Sequence, residues 1–249
     1  MAPQEIGAGT PDHGQMPGDD ASREFEEFIY LVSHDVRNSV RALLELPQWI
    51  EEDLVSGGFP VTGPLAENIA LMNTHTRRLD RMLIDLLIYS RIGRLQTDKT
   101  VEWDEVISTI LGQLRIPTGF RIMRDIRAPA IRMGETDVVT LLSSLVSNAI
   151  KHHDREQGTV RIATREEEGW HVLSVADDGP GIPPGSRDRV FGVMTTLRPR
   201  DEIEGSGMGL ANVRKIAGLY SGRIEWEAQH GHRGCHLSLW FPINRPPLH

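Results

Sequence analysis

The chain has 249 residues, which allows one large domain or two small ones. Its net charge of −8 at neutral pH argues against nucleic acid as the main partner, because binding a phosphate backbone requires a basic face. Cys235 is its single cysteine, so an internal disulfide is excluded and a reducing, cytoplasmic location is expected. Its apolar runs are far shorter than a membrane crossing requires, so no direct membrane span is expected.

Two helices are predicted after an unstructured start. Residues 1–20 are rich in Gly, Pro, Ala and acids, which is typical of a disordered tail or linker. From Ala21 onward, apolar residues recur at the steps of a heptad seam, and Pro47 is expected to kink this helix. The seam residues are Ile29, Val32, Val36, Leu43, Leu46 and Ile50. After a Gly- and Pro-rich break at 56–64, a second helix is predicted from the apolar positions Leu65, Ile69, Met72, Thr76, Leu79, Leu83 and Leu86.

These two helices, within residues 21–96, form a predicted hairpin whose apolar seam is too wide to cover itself. A second copy of the chain would cover it, which predicts a dimeric four-helix bundle. With Ile29 at heptad position a and Val32 at position d, His34 falls at position f. His34 is therefore expected to face solvent, where other molecules can reach it.

Residues 97–249 alternate strand and helix patterns, which predicts a layered α/β domain. Strands are predicted at 120–126, 159–164, 170–175, 223–226 and 235–240. Helices are predicted at 104–114, 137–152 and 208–220. The last two strands are expected to be joined by a turn at 230–234. The tryptophans, and the histidines other than His34, are interpreted as packing or surface residues.

Two segments are rich in glycine. The first follows a predicted strand, and the second opens a predicted helix. Segment 177–181 reads DDGPG, and its first carboxylate, at a strand end, could accept the exocyclic amine of adenine. Segment 205–210 reads GSGMGL and opens a helix, where free backbone N–H groups favour a phosphate. Taken singly, the first is equally compatible with a tight turn and the second with an ordinary helix start.

A third element lies on the helix predicted at 137–152, which precedes both segments in the chain. Asn148 and Lys151 are three residues apart and share a helical face. An amide oxygen suits Mg²⁺, and an ammonium suits phosphate as a point charge. By itself this pattern is equally that of a solvated helix face, but all three elements, in this order, favour a nucleotide site.

Residues 21–243 resemble the catalytic core of a sensor histidine kinase of two-component signalling. Segment 33–46 is similar to the phospho-acceptor box of that family, and Asn148 with Lys151 to its N box. Segments 177–181, 189–191 and 205–210 are similar to its first glycine box, its F box and its second glycine box. The resemblance implies a helical hairpin forming a dimeric four-helix bundle, followed by an α/β sandwich of the Hsp90, gyrase and histidine kinase type.

The resemblance also implies roles for individual residues. His34 would accept the γ-phosphoryl group of ATP, Asp35 would orient and deprotonate its imidazole, and Asn38 would position water for dephosphorylation of the partner. Asn148 would hold Mg²⁺ and Lys151 would approach the phosphates. The remaining residues implied for the ATP pocket are Asp177, which would bind the adenine amine, and the glycines Gly179, Gly181, Gly205, Gly207 and Gly209.

Three positions depart from the family pattern: Ser144 replaces an amide or acid, Ser39 stands where a proline is common, and Met194 replaces an aromatic residue. The implied organisation is a tail or linker at 1–20, a dimerisation and phosphotransfer domain at 21–96 and an ATP-binding domain at 97–249. The implied partners are a second copy and the receiver domain of a response regulator.

Three other functions are compatible with the sequence. One is a histidine phosphotransfer protein with a degenerate ATP domain, which the retained glycines, Asn148 and Asp177 argue against. Another is a related ATPase or a serine kinase that regulates a sigma factor, in which the helical hairpin carrying His34 would have no use. The third is a predominant phosphatase acting through Asn38.

Overall fold

The computed structural model describes residues 17–94, 96–198, 205–227 and 233–245, and side-chain positions are described for these except residues 17–29, 33 and 34. Two long helices come first, α1 (Pro17–Ser56) and α2 (Pro64–Arg91). Helix α1 begins ahead of the predicted onset at Ala21, and it contains Pro47. The predicted tail lies outside the described residues as far as residue 16.

The two helices form the hairpin that the apolar patterns predict, with α1 packed along α2. Val40 of α1 and Ile69, Leu83 and Leu87 of α2 are buried, and the Nε of Arg37 contacts the Oδ1 of Asp80 at 3.4 Å. Most of the predicted seam on α1 is nevertheless exposed in the single chain. These exposed seam residues are Val32, Val36, Leu43, Leu46 and Ile50. One apolar face of the hairpin therefore remains uncovered.

The second part is an α/β sandwich built on a sheet of five strands in the order β2-β4-β5-β7-β6. Strand β2 is parallel to β4, and the other neighbours are antiparallel. The five strands are β2 (Phe120–Ile126), β4 (Gly158–Glu167), β5 (Trp170–Asp177), β6 (Arg223–Trp226) and β7 (His236–Pro242). All five were predicted, β2 and β6 with these bounds and the other three with ends that differ by a few residues.

Three helices of the sandwich also match the predictions, and one small feature does not. The helices are α3 (Trp103–Gln113), α4 (Glu135–Lys151) and α5 (Gly209–Leu219). The additional feature is an antiparallel pair, β1 (Lys99–Glu102) with β3 (Ala130–Met133). Each of these strands has four residues, which is too short for a period of two to stand out. Short 3₁₀ helices follow at Pro184–Ser186 and Arg189–Phe191.

The core of the sandwich lies between the helices and one face of the sheet. Helix α4 contributes Val138, Leu142 and Val146, spaced by four residues along one helical face. Helix α5 packs beside α4 and contributes Val213 and Ile216. The sheet meets them with residues from its three central strands, which include Ile162, Leu173 and Leu239. Within the part of the chain that the structure describes, no helix has the length and apolar character to cross a membrane.

A buried polar junction joins the end of α2 to the sandwich. The Nζ of Lys215 on α5 donates to the backbone oxygen of Tyr89 at 2.8 Å. The N–H of Gly93 donates to Oδ1 of Asp137 at 3.3 Å, and the hydroxyl of Tyr220 donates to its Oδ2 at 2.7 Å. The same hydroxyl accepts from the N–H of Gly134 at 3.0 Å. The Asp137 side chain thus ties the hairpin, α4 and the end of α5 together.

Removing the Tyr220 hydroxyl is expected to loosen this junction. Burial raises the pKa of Asp137, while hydrogen bonds, that of Tyr220 foremost, act to lower it. The variant Tyr220→Phe leaves the N–H of Gly134 and the carboxyl of Asp137 short of a partner in the core, and we expect it to cost roughly 1–3 kcal/mol of stability. Because the hydroxyl favours the ionised carboxyl, the loss should be larger at pH 8 than at pH 5. Urea unfolding at both pH values measures it.

The matched control for this prediction is Tyr30→Phe on α1, which also deletes a phenolic hydroxyl but leaves the junction intact. It should change the free energy of unfolding little at either pH. A Tyr220→Phe protein with wild-type stability, or with a larger loss at acid pH, would contradict the assignment of Asp137 and Tyr220 as a stabilising pair.

Candidate functional site

A pocket opens between α4, α5 and the sheet at the end of β5. Its walls carry Asn148 from α4, Asp177 from β5 and several apolar groups. The other lining residues are Leu145, Ala149, Val175, Ile182, Leu210, Trp226, Cys235 and Leu237. At about 20 Å³ the space holds little more than a water molecule, so its walls must move apart to admit a purine.

Asp177 is the acidic group of this pocket. Its Oδ1 accepts hydrogen bonds from the N–H of Gly179 at 2.9 Å and of Cys235 at 3.2 Å. Burial raises the pKa of Asp177, and these two N–H groups oppose the increase. The backbone N–H of Asp177 also donates to the carbonyl of Cys235 at 2.9 Å. The carboxylate is therefore held in one orientation in a pocket whose other walls are mostly apolar.

The far wall of the pocket is built on Trp226. The ring of Phe191 lies against it with a centroid distance of 5.8 Å, and the guanidinium of Arg187 lies 5.3 Å from its ring centre. The Nε of Arg187 is buried and has no hydrogen-bond partner among the described residues. This stacking of the guanidinium on the indole keeps a positive charge beside the pocket, and no acidic group pairs with its Nε.

None of the predicted glycines is among the lining residues of this pocket, although Gly179, Gly181 and Gly209 lie within two residues of lining residues in the chain. A Cβ at Gly179 would meet Oδ1 of Asp177 at 2.9 Å, so only glycine permits this close turn. Gly207 has a φ of 78°, and a Cβ there would lie 2.7 Å from the backbone oxygen of Thr195. Gly181 packs against the backbone of Gly234, and Gly209 begins α5 beside Ser144. Gly205 has open space around it.

Positive charge gathers at the C-terminal end of α4. Lys151 lies in the last turn and is exposed, and His152 caps the helix. Burial lowers the pKa of His152, and the positive charges of Arg198 and Lys151 lower it further. Arg198 therefore lies close enough to act on this end of α4. In a chain with a net charge of −8, such a local concentration of cations favours an anionic ligand.

The predicted phosphate acceptor lies on the other part of the chain. His34 is within α1, but its side chain lies outside the described residues. Asp35 and Asn38 are exposed on the same helix. Among the described residues, the pocket lining comes from α4, α5, the sheet and their loops, so the structure does not bring Asp35 or Asn38 into the pocket.

Four residues at this site were not singled out as functional from the sequence. Trp226 and His153 were interpreted as packing or surface residues, whereas Trp226 lines the pocket and His153 is buried behind the glycine loop. Arg187 and Arg233 lie in loops without a recognisable pattern. Their positions depend on segments that meet only in the folded sheet, so no local spacing could have identified them.

A family model matches much of the second part of the chain, and the similarity to individual relatives extends to the first part as well. Residues 133–245 match the family described as histidine kinase-, DNA gyrase B- and HSP90-like ATPase. Cyanobacterial phytochrome A of Nostoc is 31% identical over 90% of this chain, which covers 29% of that protein. Methanogenesis regulatory histidine kinase FilI of Methanothrix harundinacea is 30% identical over 86% of this chain, which covers 24% of that protein.

Solved structures show the same fold. The full-length ShkA structure in complex with AMPPNP superposes with a TM-score of 0.66 and 20% identity, covering 88% of this chain and 46% of that one. The Acinetobacter baumannii histidine kinase AdeS superposes with a TM-score of 0.54 and 17% identity over 83% of this chain and 98% of that one. The chain thus corresponds to less than a third of the two curated relatives' lengths.

Proposed function

Because this chain belongs to the sensor histidine kinase family of two-component signalling, whose catalytic core it spans, we propose that it phosphorylates itself on His34 from ATP and passes the phosphoryl group to an aspartate of a response regulator receiver domain. The observation that carries this proposal is the half-buried Asp177 carboxylate, which accepts from two backbone N–H groups in a pocket that also contains Asn148. A cytoplasmic location, where ATP is available, forms part of the proposal.

The orientation of ATP follows from the charges around the pocket. The fixed carboxylate of Asp177 would accept the exocyclic amine of adenine, while Leu145, Ile182 and Trp226 would contact the ring. The triphosphate would then extend toward Lys151 and Arg198, where positive charge gathers. The walls of the pocket would move apart as the ring enters, because the pocket is too small for a purine with its walls in their present positions.

Asn148 fits a hard metal ion. Its side chain lines the pocket and is half-buried, and an amide oxygen is among the oxygen ligands that Mg²⁺ accepts. When bound, Mg²⁺ would neutralise charge on the phosphates during transfer. Ser144, one turn earlier on α4, supplies a hydroxyl where the family commonly has an amide or an acid. The chain therefore brings one amide and one hydroxyl to this helical face.

The chemical step assigned to the chain itself is nucleophilic attack by His34. An unprotonated imidazole nitrogen would form the N–P bond as the bond from the γ-phosphorus to the bridging oxygen breaks, and the electron pair would leave on ADP. The adjacent Asp35 would orient the ring and take the proton from its other nitrogen. Most of the acceleration would come from positioning and charge neutralisation, as in other phosphoryl transfers.

The uncovered face of the hairpin supports a homodimer. The predicted seam residues of α1 are exposed in the single chain, and Met72 and Leu79 of α2 are exposed as well. A monomer that left such a continuous apolar stripe in water would forgo a large hydrophobic contribution. A second copy would bury it and complete the four-helix bundle.

A phosphatase activity toward the response regulator is a second function of the same helix. Asn38 follows His34 by one helical turn and is exposed on α1. Its amide could orient a water molecule against a phosphoaspartate of a docked receiver domain. Comparison of Asn38→Ala with the wild-type chain for loss of partner phosphate tests this function: equal rates would exclude a role for Asn38.

Incubation of the chain with γ-labelled ATP tests the proposal as a whole. Label that is stable in base and lost in acid identifies phosphohistidine and supports a histidine kinase. Acid-stable label would instead indicate a serine kinase, and no label with retained ATP binding would indicate an ATPase. A chain that binds no nucleotide would contradict the proposed pocket and indicate a phosphotransfer protein.

Replacing Asn148 is expected to raise the Mg²⁺ concentration that autophosphorylation requires. Asn148→Ala removes the amide oxygen from the pocket, and we expect about a 10–100-fold lower rate of autophosphorylation at limiting Mg²⁺, as found when a metal-site group is lost. Titration of Mg²⁺ at fixed ATP measures the shift. Ser147→Ala, at the neighbouring position of α4, is the matched control and should keep the wild-type curve. Superimposable curves for all three proteins would exclude Asn148 as a ligand.

A further inference from the structure

A histidine is buried directly behind the loop that carries Asp177. The side chain of His153 is 1% exposed. Its ring lies edge-on to Phe120, with a centroid distance of 5.1 Å, and its Cδ2 would lie 3.2 Å from a Cβ at Gly179. His153 thus fills the space between β2 and the glycine loop, two residues beyond the end of α4.

The Nε2 of His153 donates to a carboxylate. It lies 3.1 Å from Oδ1 of Asp178, and because an ionised carboxylate can only accept, Nε2 carries a proton. Nδ1 lies near both backbone groups of Arg155, 3.1 Å from its nitrogen and 3.2 Å from its oxygen. Oδ1 of Asp178 also accepts from the N–H of Thr159 at 2.6 Å. Asp178 is in this way tied to β4 and to the segment after α4.

Electrostatics support this arrangement. Burial acts to raise the pKa of Asp178, but the hydrogen bonds from the N–H of Thr159 and from His153 outweigh it and hold the pKa below the ordinary value. The side chain of Asp178 is therefore an ionised acceptor at neutral pH, and a donor to an ionised acceptor forms a stronger hydrogen bond than a neutral pair does.

Arg233 holds the loop from the opposite side. Its Nε donates to the backbone oxygen of Asp178 at 2.9 Å, and its guanidinium also contacts the carboxylate of Asp154. The segment after α4 therefore contacts residue 178 twice, directly through His153 and indirectly through Asp154 and Arg233. Asp177 precedes Asp178 in the chain, so these contacts hold the backbone directly next to it.

We propose that His153 is a positioning residue for nucleotide selection, which holds the adenine-reading carboxylate of Asp177 in place through its hydrogen bond to Asp178. The inference rests on the proposed function, because it takes Asp177 as the group that accepts the adenine amine. His153 itself lies behind the loop and touches Asp178 and Gly179 rather than the pocket. Its effect is therefore on the choice of base, not on the chemistry at the phosphates.

Paired titrations with ADP and inosine diphosphate test this inference. Inosine diphosphate carries a carbonyl oxygen in place of the amine, so an oriented carboxylate favours ADP and disfavours inosine diphosphate. In His153→Phe, which keeps a flat ring against Phe120 but lacks the donor, the preference for ADP should fall by about tenfold, the equivalent of one hydrogen bond. The conservative variant His153→Gln retains an N–H near the Nε2 position and should restore most of the preference.

A purely structural role predicts a different pattern, since loosened packing would weaken both nucleotides equally. An equal loss, or an unchanged preference in His153→Phe, overturns the inference alone. Equal affinities of the wild-type chain for the two nucleotides would show that Asp177 does not select for the adenine amine. That result would overturn this part of the proposed function and, with it, this inference.

A second pair of variants covers the case in which His153→Phe does not fold. Asp178→Asn keeps an acceptor oxygen for Thr159 and His153, whereas Asp178→Leu keeps the approximate size of the side chain and removes the acceptor. The preference for ADP should survive in the asparagine variant and fall by about tenfold in the leucine variant. Equal preferences in the two proteins would overturn the inference.

Discussion

Replacing His34 by glutamine is expected to abolish acid-labile labelling from γ-labelled ATP. Glutamine keeps a polar side chain of similar length in helix α1 but offers no nucleophilic nitrogen, because the lone pair of an amide nitrogen is delocalised. The loss should be complete rather than partial, since no other group would replace the acceptor. The label retained on the chain after electrophoresis, with and without acid treatment, measures the result.

Two matched variants make this experiment specific. His75→Gln removes another histidine, exposed on α2, and should label like the wild-type chain. Asp35→Asn keeps His34 but removes the neighbouring carboxylate, and we expect labelling to slow by roughly 10²–10⁴-fold, the range of general acid–base contributions. Full labelling of His34→Gln, or loss of label in His75→Gln, would show that the acceptor lies elsewhere in the chain.

Replacing Asp177 by asparagine is expected to have the largest effect on nucleotide binding. The wild-type carboxylate is an acceptor held by the N–H groups of Gly179 and Cys235, and a charge-assisted hydrogen bond of this kind contributes about 1.5–3 kcal/mol. The affinity for ADP should therefore fall by about 10–100-fold. Isothermal titration with ADP measures it, and Asp188→Asn, which removes an exposed carboxylate from the loop before Phe191, is the control that should bind normally.

The wild-type chain and Asp177→Asn should also differ in how their affinity for ADP depends on pH. Burial raises the pKa of Asp177 above its ordinary value, so the ionised acceptor is lost earlier than for an exposed aspartate as pH falls. The affinity of the wild-type chain for ADP should be highest at neutral pH and decline as the pH is lowered through that raised pKa. Asp177→Asn should show no such decline. A wild-type affinity that is flat or rises toward acid pH would contradict the role of this carboxylate.

Sequence patterns predicted the larger elements of this fold because those elements are governed by local periodicity. The hairpin follows from apolar steps of three and four, and strands β2 and β6 have the predicted bounds, 120–126 and 223–226. The same reasoning missed β1 and β3, whose pairing is settled by contact with each other and with the core rather than by their own residues. Tertiary contacts decide such short strands.

The site was predictable only in part, for a related reason. The pocket does contain Asn148 and Asp177, which stand in recognisable segments of the chain. Trp226, on a strand far along the sequence, faces the same pocket because β6 pairs with β7 and turns that side of the sheet toward α4. His153 follows another histidine, and nothing local distinguishes the two. Asp178 lies against His153 only because β5, in the folded sheet, ends beside the segment that follows α4.

Helix α5 connects two distant parts of the chain, which its own sequence does not suggest. It starts at the second glycine segment beside the pocket and finishes next to Tyr220, whose hydroxyl reaches the Asp137 junction. Its eleven residues span about 16 Å, and Lys215 joins it to α2. The end of α2 and the backbone that borders the pocket are therefore separated by a single short helix.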